Sequence, residues 1–169
     1  MRVRSDTATD LRAVFAAFPT RVVAVCGLPD GAPVGMTVST FTPVSLDPPL
    51  LSLCIQRSST TWPQLRRSPA LGVTVLGEDH EHAALQLSSR SADRFAGTEV
   101  HATGSGAVVL PRSCAWFDCT LRTEHPAGDH LIAVLHIDDR GTSDEVRPLV
   151  VHASRFRRLA PPTSRPQES

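Results

Sequence analysis

The feature that most constrains the fold of this chain is a series of apolar, β-branched segments separated by short turns. Turn residues such as DG at 30–31 and PAGD at 126–129 predict that neighbouring strands are joined as hairpins. The helical segments between them are too short and irregular for repeated strand-helix-strand units, so a doubly wound parallel sheet is the weaker alternative. The sequence therefore predicts an antiparallel β-barrel with short helices at its ends. The predicted strands are 21–28, 33–44, 50–57, 71–77, 115–125, 130–139 and 147–159.

Helices are predicted at three places: over residues 7–18, directly after the hydroxyl cluster at 58–61, and over 79–88. The first segment has apolar residues at the spacing that places them on one helix face. Its predicted apolar face consists of Leu11, Val14, Phe15 and Phe18.

Length and charge limit the classes of function. A chain of 169 residues is predicted to form one domain, over 1–159, and the polar tail at 160–169 is predicted to be disordered. Lys plus Arg and Asp plus Glu are equal at 17 each, so no net field favours nucleic acid or an anionic membrane. No run approaches the roughly 18 apolar residues of a membrane span. We therefore expect a soluble, cytoplasmic protein.

The cysteines and histidines do not form a metal-binding pattern. Cys26, Cys54, Cys114 and Cys119 lack the spacing of a zinc site and lie in apolar segments, which predicts free, buried thiols. In DHEH at 79–82 the two histidines stand two apart on a predicted helix, where they point in different directions. No metal site is predicted, and these histidines are expected on solvated helix surface.

Several familiar catalytic motifs are absent from the sequence. It contains no G-x-S-x-G, no P-loop and no H-E-x-x-H, and GSG at 104–106 lacks the third glycine of a dinucleotide fingerprint. Paired carboxylates for acid-base catalysis are also hard to find. Any chemistry is therefore expected to come from a bound cofactor.

Two hydroxyl clusters provide the candidate binding residues. The first lies at 37–40 near the end of a strand, and the second, with an arginine, lies at 57–60 before a predicted helix. Free N–H groups at a helix start, hydroxyls and one guanidinium together favour a phosphate group. On spacing alone, the alternative is that the second cluster caps a helix and the first fills a strand.

The order of motifs resembles that of the flavin reductase family, the small NAD(P)H-dependent partners of two-component monooxygenases. The resemblance extends from Phe18 to Leu159. It implies a homodimer with a Greek-key split β-barrel of the FMN-binding type. It also implies reduction of FMN or FAD by NADH or NADPH, with release of the reduced flavin to a flavin-dependent monooxygenase. The motifs are GMTVSTF (35–41) joined to SLDPP (45–49), GVTVL (72–76), DRFAG (93–97), AGDHLIAV (127–134) and RPLVVHASRFRRL (147–159).

The resemblance also implies residue roles. His130 corresponds to the histidine of the family's G-D-H turn and is expected near the nicotinamide, where it positions the substrate and stabilises charge. Arg147 is expected to assist the pyridine nucleotide, and Arg94 and Phe95 are expected to close over the flavin. The flavin-binding residues that it implies are Thr37, Val38, Ser39, Thr40, Gln56, Arg57, Ser58, Ser59 and Thr60.

The chain departs from the family pattern at the nicotinamide side. Val151, Ser154 and Phe156 stand where an aromatic residue, a glycine and a tyrosine are common. With no basic cluster for a 2′-phosphate, NADH is the expected donor. Two other hypotheses remain at this point: a split-barrel enzyme that retains its flavin and oxidises its own substrate, and a non-catalytic flavin- or haem-binding protein with His130 or His152 as a ligand.

Overall fold

The computed structural model describes residues 8–89 and 93–160, and this part of the chain is mainly β with three short helices. The expected fold class is thereby confirmed. The helices are α1 (Ala8–Phe15), α2 (Trp62–Leu65) and α3 (Glu81–Ser88). The strands are β1 (Thr20–Arg21), β2 (Val23–Gly27), β3 (Val34–Val38), β4 (Thr42–Leu46), β5 (Pro49–Gln56), β6 (Leu71–Val75), β7 (His101–Ala102), β8 (Val108–Val109), β9 (Ala115–Ala127), β10 (His130–Thr142), β11 (Val150–His152) and β12 (Arg155–Arg157).

The main sheet contains seven strands in the order β3-β2-β6-β9-β10-β5-β4. Every pair of neighbours is antiparallel, which excludes the doubly wound parallel alternative. A core of fully buried side chains such as Val25, Leu53 and Leu135 lies against this sheet. The strand segments are nearly continuous in apolar residues because side chains on both faces of the central strands are covered.

The sheet curves until its two edges come close together. The predicted strand 33–44 is in fact two strands, β3 and β4, which lie at opposite edges and are joined by residues 39–41. Laid flat, seven strands would separate those edges by about 29 Å. The connection from Val38 to Thr42 can span only about 14 Å. The sheet must therefore bend into a split barrel, and the single strand predicted here was wrong because the chain crosses the split.

The β9–β10 hairpin is the longest element and fixes the position of His130. Each strand has 13 residues, and the turn consists of Gly128 and Asp129, shorter than the predicted turn at 126–129. Gly128 has a φ of +63°, which suits the first position of a type II′ hairpin turn. Pro126 is tolerated within β9 because β6 pairs only with residues 115–119 of that strand.

A smaller sheet, in the order β1-β11-β12, replaces the single final strand predicted at 147–159. Ala153 and Ser154 have φ values of +51° and +59°, so the chain reverses there instead of continuing. A second buried cluster packs between this sheet and α3, with Leu76, Leu87 and Leu149 at its centre. The segment between α3 and β9 contains the short pair β7–β8.

The first helix forms, but this chain does not bury its predicted apolar face. α1 ends at Phe15, three residues before the predicted end. All four apolar residues at the predicted helical spacing are 47–59% exposed. The predicted helix is confirmed, and its apolar side chains remain exposed on this chain. Residues 1–7 and 161–169, including nearly all of the predicted tail, lie outside the described residues.

All four cysteines are free, as expected. Cys26 and Cys119 are buried, and burial raises the pKa of the Cys26 thiol to about 12. Cys54 and Cys114 are partly exposed. No helix in the described ranges is long and apolar enough to traverse a lipid bilayer.

Candidate functional site

An open groove of about 960 Å³ lies at the split of the barrel. It is bounded by the end of β3 and the connection that follows, by the end of β5, by the 58–61 loop and by α3. The two predicted hydroxyl clusters therefore line one cavity, as their sequence positions indicated. The predicted site residues in its lining are Thr37, Val38, Ser39, Thr40, Gln56, Ser58, Ser59, Thr60 and His130.

Residues 37–40 form one side of the groove, which we call the strand rim. The Thr40 hydroxyl donates to the Cys54 carbonyl and accepts from the Cys54 N–H, both at 3.0 Å. A side chain thus makes the two hydrogen bonds that a neighbouring strand would make with β5, just before β4 begins at Thr42. Thr40 lines the groove, but both hydrogen bonds of its hydroxyl attach the strand rim to β5.

Residues 58–61 form the opposite side, the loop rim. Ser59 Oγ accepts a hydrogen bond from the Trp62 N–H at 3.1 Å and contacts Met36 Sδ at 3.9 Å. The helix that follows, α2, has only four residues, so its N-terminus adds little to anion binding, and the predicted phosphate site stays a prediction. Hydroxyls and a guanidinium remain as donors to an anionic group. The loop rim is also attached to β9, because Trp62 Nε1 donates a hydrogen bond to Glu124 Oε1 at 2.5 Å.

Arg94 provides that guanidinium. It lines the groove, and its Nη1 donates to Thr61 Oγ1 at 2.8 Å and to the Gly35 carbonyl at 3.1 Å. Both hydrogen bonds to described residues use Nη1, so Nε and Nη2 can still donate to an anion. Phe95, expected to close over the flavin with Arg94, packs instead with the second buried cluster, and its Cζ would lie 2.8 Å from a Cβ at Gly35.

His130 lies at the end of the groove, at the first residue of β10 and opposite Gln56 of β5. Its Nδ1 is 2.7 Å from Asp129 Oδ1. This hydrogen bond lowers the pKa of Asp129, which keeps that carboxylate charged beside the ring. An acceptor on Nδ1 favours a proton on that nitrogen and so orients the imidazole.

The structure does not bring the two other predicted arginines into the groove. Arg57 is exposed outside the lining, and its N–H donates to the Asp129 carbonyl at 2.9 Å. Arg147 is held by Glu78 Oε1, at 2.8 Å from Nη2 and 3.2 Å from Nε. With its guanidinium bound to a carboxylate elsewhere, Arg147 contributes to the fold of this chain, and its role with the pyridine nucleotide stays a prediction.

Sequence reasoning missed the apolar floor of the groove and part of its rim. Met36 and Cys54 are strand residues whose groove-facing side chains could have been identified only from the pairing of the strands. Thr61 was read as a helix cap, although its hydroxyl binds Arg94. The remaining lining residues that sequence reasoning missed are Val22, Ile55, Ala84, Leu87, Ser88 and Ser89. Val151 and Phe156, which were expected on the nicotinamide side, also line the groove.

An open groove with an apolar floor, hydroxyl rims and one available guanidinium suits a planar aromatic ligand with a phosphate-bearing tail. A flavin mononucleotide has this chemistry, and the two rims would offer polar partners to its ring and to its phosphate. Among the described residues, no group of three or more His, Cys, Asp or Glu side chains is arranged to hold a metal ion. The fold and groove thus define a split-barrel protein with a site for a flavin-type cofactor.

Comparisons with known proteins agree with this class. Residues 15–160 match the family described as flavin reductase like domain, and the chain belongs to that family. It is 32% identical over 150 residues to the flavin-dependent monooxygenase reductase subunit HsaB of Rhodococcus jostii, covering 89% of this chain and 77% of that protein. It is 38% identical over 124 residues to a flavin reductase of Pseudomonas putida, covering 73% of each chain.

A solved structure shows the same architecture with ligands. The chain resembles the NADH:FAD oxidoreductase SgcE6 of Streptomyces globisporus, determined in complex with NAD and FAD fragments. The TM-score is 0.84 at 31% identity, covering 90% of this chain and 93% of that one. The flavin reductase family expected from the motif order is therefore confirmed.

Proposed function

We propose that this protein is an NADH-dependent flavin reductase that reduces free FMN or FAD and supplies the reduced flavin to a partner monooxygenase. The observation that carries the proposal is the convergence of both hydroxyl rims, Arg94 and His130 on one open groove. Relatives named as monooxygenase reductase subunits and an NADH-dependent FAD reductase support the same activity.

The groove residues divide the ligand between them by chemistry. Thr37 and Ser39 on the strand rim hold the ring and ribityl chain, whereas Ser58, Thr60 and Arg94 hold the phosphate. An open groove with few charged contacts favours a flavin that binds reversibly. Three or four hydrogen bonds to a charged group, at about 1.5 to 3 kcal/mol each, are enough for micromolar affinity.

The bound flavin supplies the redox chemistry, as the acceptor of a hydride from the nicotinamide. The chain itself provides orientation and electrostatics. Among the described strands β3 pairs only with β2, so it is an edge strand whose other side has N–H groups that can bond to the polar edge of an isoalloxazine. His130, fixed by Asp129, stabilises and positions the nicotinamide from the end of the groove.

The assembly and cellular setting belong to the same proposal. A second copy of the chain would cover the apolar side chains that α1 leaves exposed, which supports a homodimer. Residues 1–159 act as one domain, and the free thiols suit the reducing cytoplasm.

NADH oxidation by dialysed protein tests the activity. We expect a colourless protein that oxidises NADH only after FMN or FAD is added, with the reduced flavin measurable through a separate oxygenase. Yellow flavin that survives dialysis and passes electrons to another substrate would contradict the proposal and favour an enzyme that retains its cofactor.

A further inference from the structure

A buried tryptophan connects the loop rim to a carboxylate outside the groove. Trp62 is the first residue of α2 and is 2% exposed. Its Nε1 donates a hydrogen bond to Glu124 Oε1 at 2.5 Å, and Glu124 Oε2 lies 3.4 Å from Arg66 Nη2. Glu124 itself does not line the groove. Any effect of Glu124 on a ligand in the groove must therefore act through other residues.

Glu124 lies in a firmly fixed part of the fold. It is paired on β9 with Ala133 of β10, which is fully buried and pairs in turn with Leu53 of β5. Three strands thus set the backbone position of the carboxylate. The Glu124 side chain is only 19% exposed, so little water can replace the carboxylate as the acceptor for the indole N–H.

The loop rim, in contrast, lies outside the strands and depends on Trp62 for its shape. The Trp62 N–H donates to Ser59 Oγ at 3.1 Å, which closes the turn before α2. One residue before Trp62, Thr61 Oγ1 accepts the hydrogen bond from Arg94 Nη1 at 2.8 Å. A rotation of the indole would therefore displace the loop-rim hydroxyls and the guanidinium together.

We propose that Glu124 is a positioning residue for the flavin phosphate: it holds Trp62, and through Trp62 the loop-rim donors, in the geometry that receives the anion. This inference rests on the proposed reductase function. A carboxylate suits the role because a hydrogen bond to a charged acceptor is about twice as strong as one between neutral groups. Arg66, whose side chain is half exposed, keeps the second carboxylate oxygen in place.

Fluorescence titration with FMN and with riboflavin, which lacks the phosphate, tests the inference on the dialysed full chain. Glu124→Met keeps the approximate length of the side chain but removes the acceptor for Trp62. We expect this variant to raise the Kd for FMN about tenfold and to change the Kd for riboflavin less than about twofold. Glu124→Gln retains an acceptor oxygen, so its Kd for FMN should stay within about threefold of wild type.

Trp62→Phe removes the same hydrogen bond from the other side and should weaken FMN binding to the same extent. Combining it with Glu124→Met should add no further loss, because both changes remove one interaction. Glu99→Met is the matched control: Glu99 also accepts from two side chains, His101 and Arg112, but it lies outside the groove. Its Kd for FMN should equal that of wild type. Thermal melts verify that each variant is folded.

Four outcomes would overturn the inference. They are equal losses of affinity for FMN and riboflavin, an unchanged Kd for FMN in Glu124→Met, a Glu124→Gln variant as weak as Glu124→Met, and additive losses in the double variant. In each case the wild-type chain would still bind FMN and oxidise NADH after flavin is added. A wild-type chain that binds neither FMN nor riboflavin would instead contradict the proposed function itself.

Discussion

The two rims of the groove are built from the same kinds of residue but use them differently. On the strand rim, Thr40 replaces a missing strand and binds the Cys54 backbone in both directions. On the loop rim, the Ser59 hydroxyl accepts a hydrogen bond from the first N–H of α2, and Thr61 anchors Arg94. Each rim therefore needs part of its hydroxyls to maintain its own shape.

The comparison shows that only some of the hydroxyls in a sequence cluster are available to bind a ligand. Thr37 and Ser39 on the strand rim, and Ser58 and Thr60 on the loop rim, line the groove, and their hydroxyls make no hydrogen bond to a described side chain. Among the described residues that line the groove, the guanidinium is that of Arg94, which is bound to Thr61 of the loop rim. We therefore expect the loop rim to dominate affinity and the strand rim to orient the ring.

The largest expected effect is at Arg94. Removing a charged donor to a phosphate costs about 1.5 to 3 kcal/mol, so Arg94→Ala should raise the Kd for FMN by about 10- to 100-fold. Flavin fluorescence titration measures the Kd. Arg67→Ala is the control, since Arg67 pairs only with the exposed Asp30 among the described residues. A Kd for the Arg94 variant within twofold of wild type would contradict the expectation that the loop rim contributes more to flavin affinity than the strand rim.

The loop-rim hydroxyls come next. Replacing both Ser58 and Thr60 with alanine should weaken flavin binding about tenfold, because two hydrogen bonds to a phosphate are lost. Ser59→Ala should instead lower the free energy of unfolding by about 1 kcal/mol, since its hydroxyl caps the start of α2. Unchanged flavin affinity in the double variant would mean that the loop-rim hydroxyls have a structural role and do not bind the flavin.

His130 lies between the rims and should affect rate more than affinity. We expect His130→Ala to lower kcat for NADH oxidation about fivefold while the Kd for flavin changes little, because the ring positions the nicotinamide. His136→Ala is the matched control: it lies on the same strand, interacts with Asp138 and does not line the groove. Wild-type turnover in the His130 variant would exclude the residue from the site.

On the strand rim, Thr40→Val should reduce stability rather than binding. The substitution keeps the shape of the side chain but removes both hydrogen bonds to the Cys54 backbone, at a cost of about 1 to 3 kcal/mol. Urea unfolding measures this loss. Thr42→Val is the control, because Thr42 is exposed on β4 and already paired with Ser52. A weaker affinity at unchanged stability would make Thr40 a ligand-binding residue instead.

Sequence patterns predicted most strands and both rims because hydrophobic runs and turn residues are local properties. They did not predict the crossing at 39–41, where one apparent strand becomes two sheet edges, because that depends on closure of the sheet. Arg57 and Arg94 show the same limit within the site. Arg57 is adjacent to the loop rim in sequence but lies outside the groove, whereas Arg94 reaches it from 33 residues beyond Thr61.

The smallest expected effect lies at His80, outside both rims. This histidine was expected on solvated helix surface, but it precedes α3, is partly buried and accepts a hydrogen bond from the Gly77 N–H at Nδ1. Burial, together with the nearby Arg112, lowers the pKa of His80 below its usual value of 6.5. The Pro111 carbonyl and Asp79 oppose this shift.

Because the folded pKa is depressed, the unfolded chain binds more protons than the folded chain just below pH 6.5. The stability that neutral His80 contributes is therefore complete above that pH and declines as the pH falls toward the folded pKa. His80→Gln keeps an acceptor for Gly77 but cannot titrate, so urea unfolding between pH 5 and 7.5 should show a smaller slope. Flavin affinity of the variant should match wild type, because His80 lines neither rim. An identical slope would mean that His80 does not contribute this pH dependence of stability, and a loss of affinity would mean that this region is coupled to the groove.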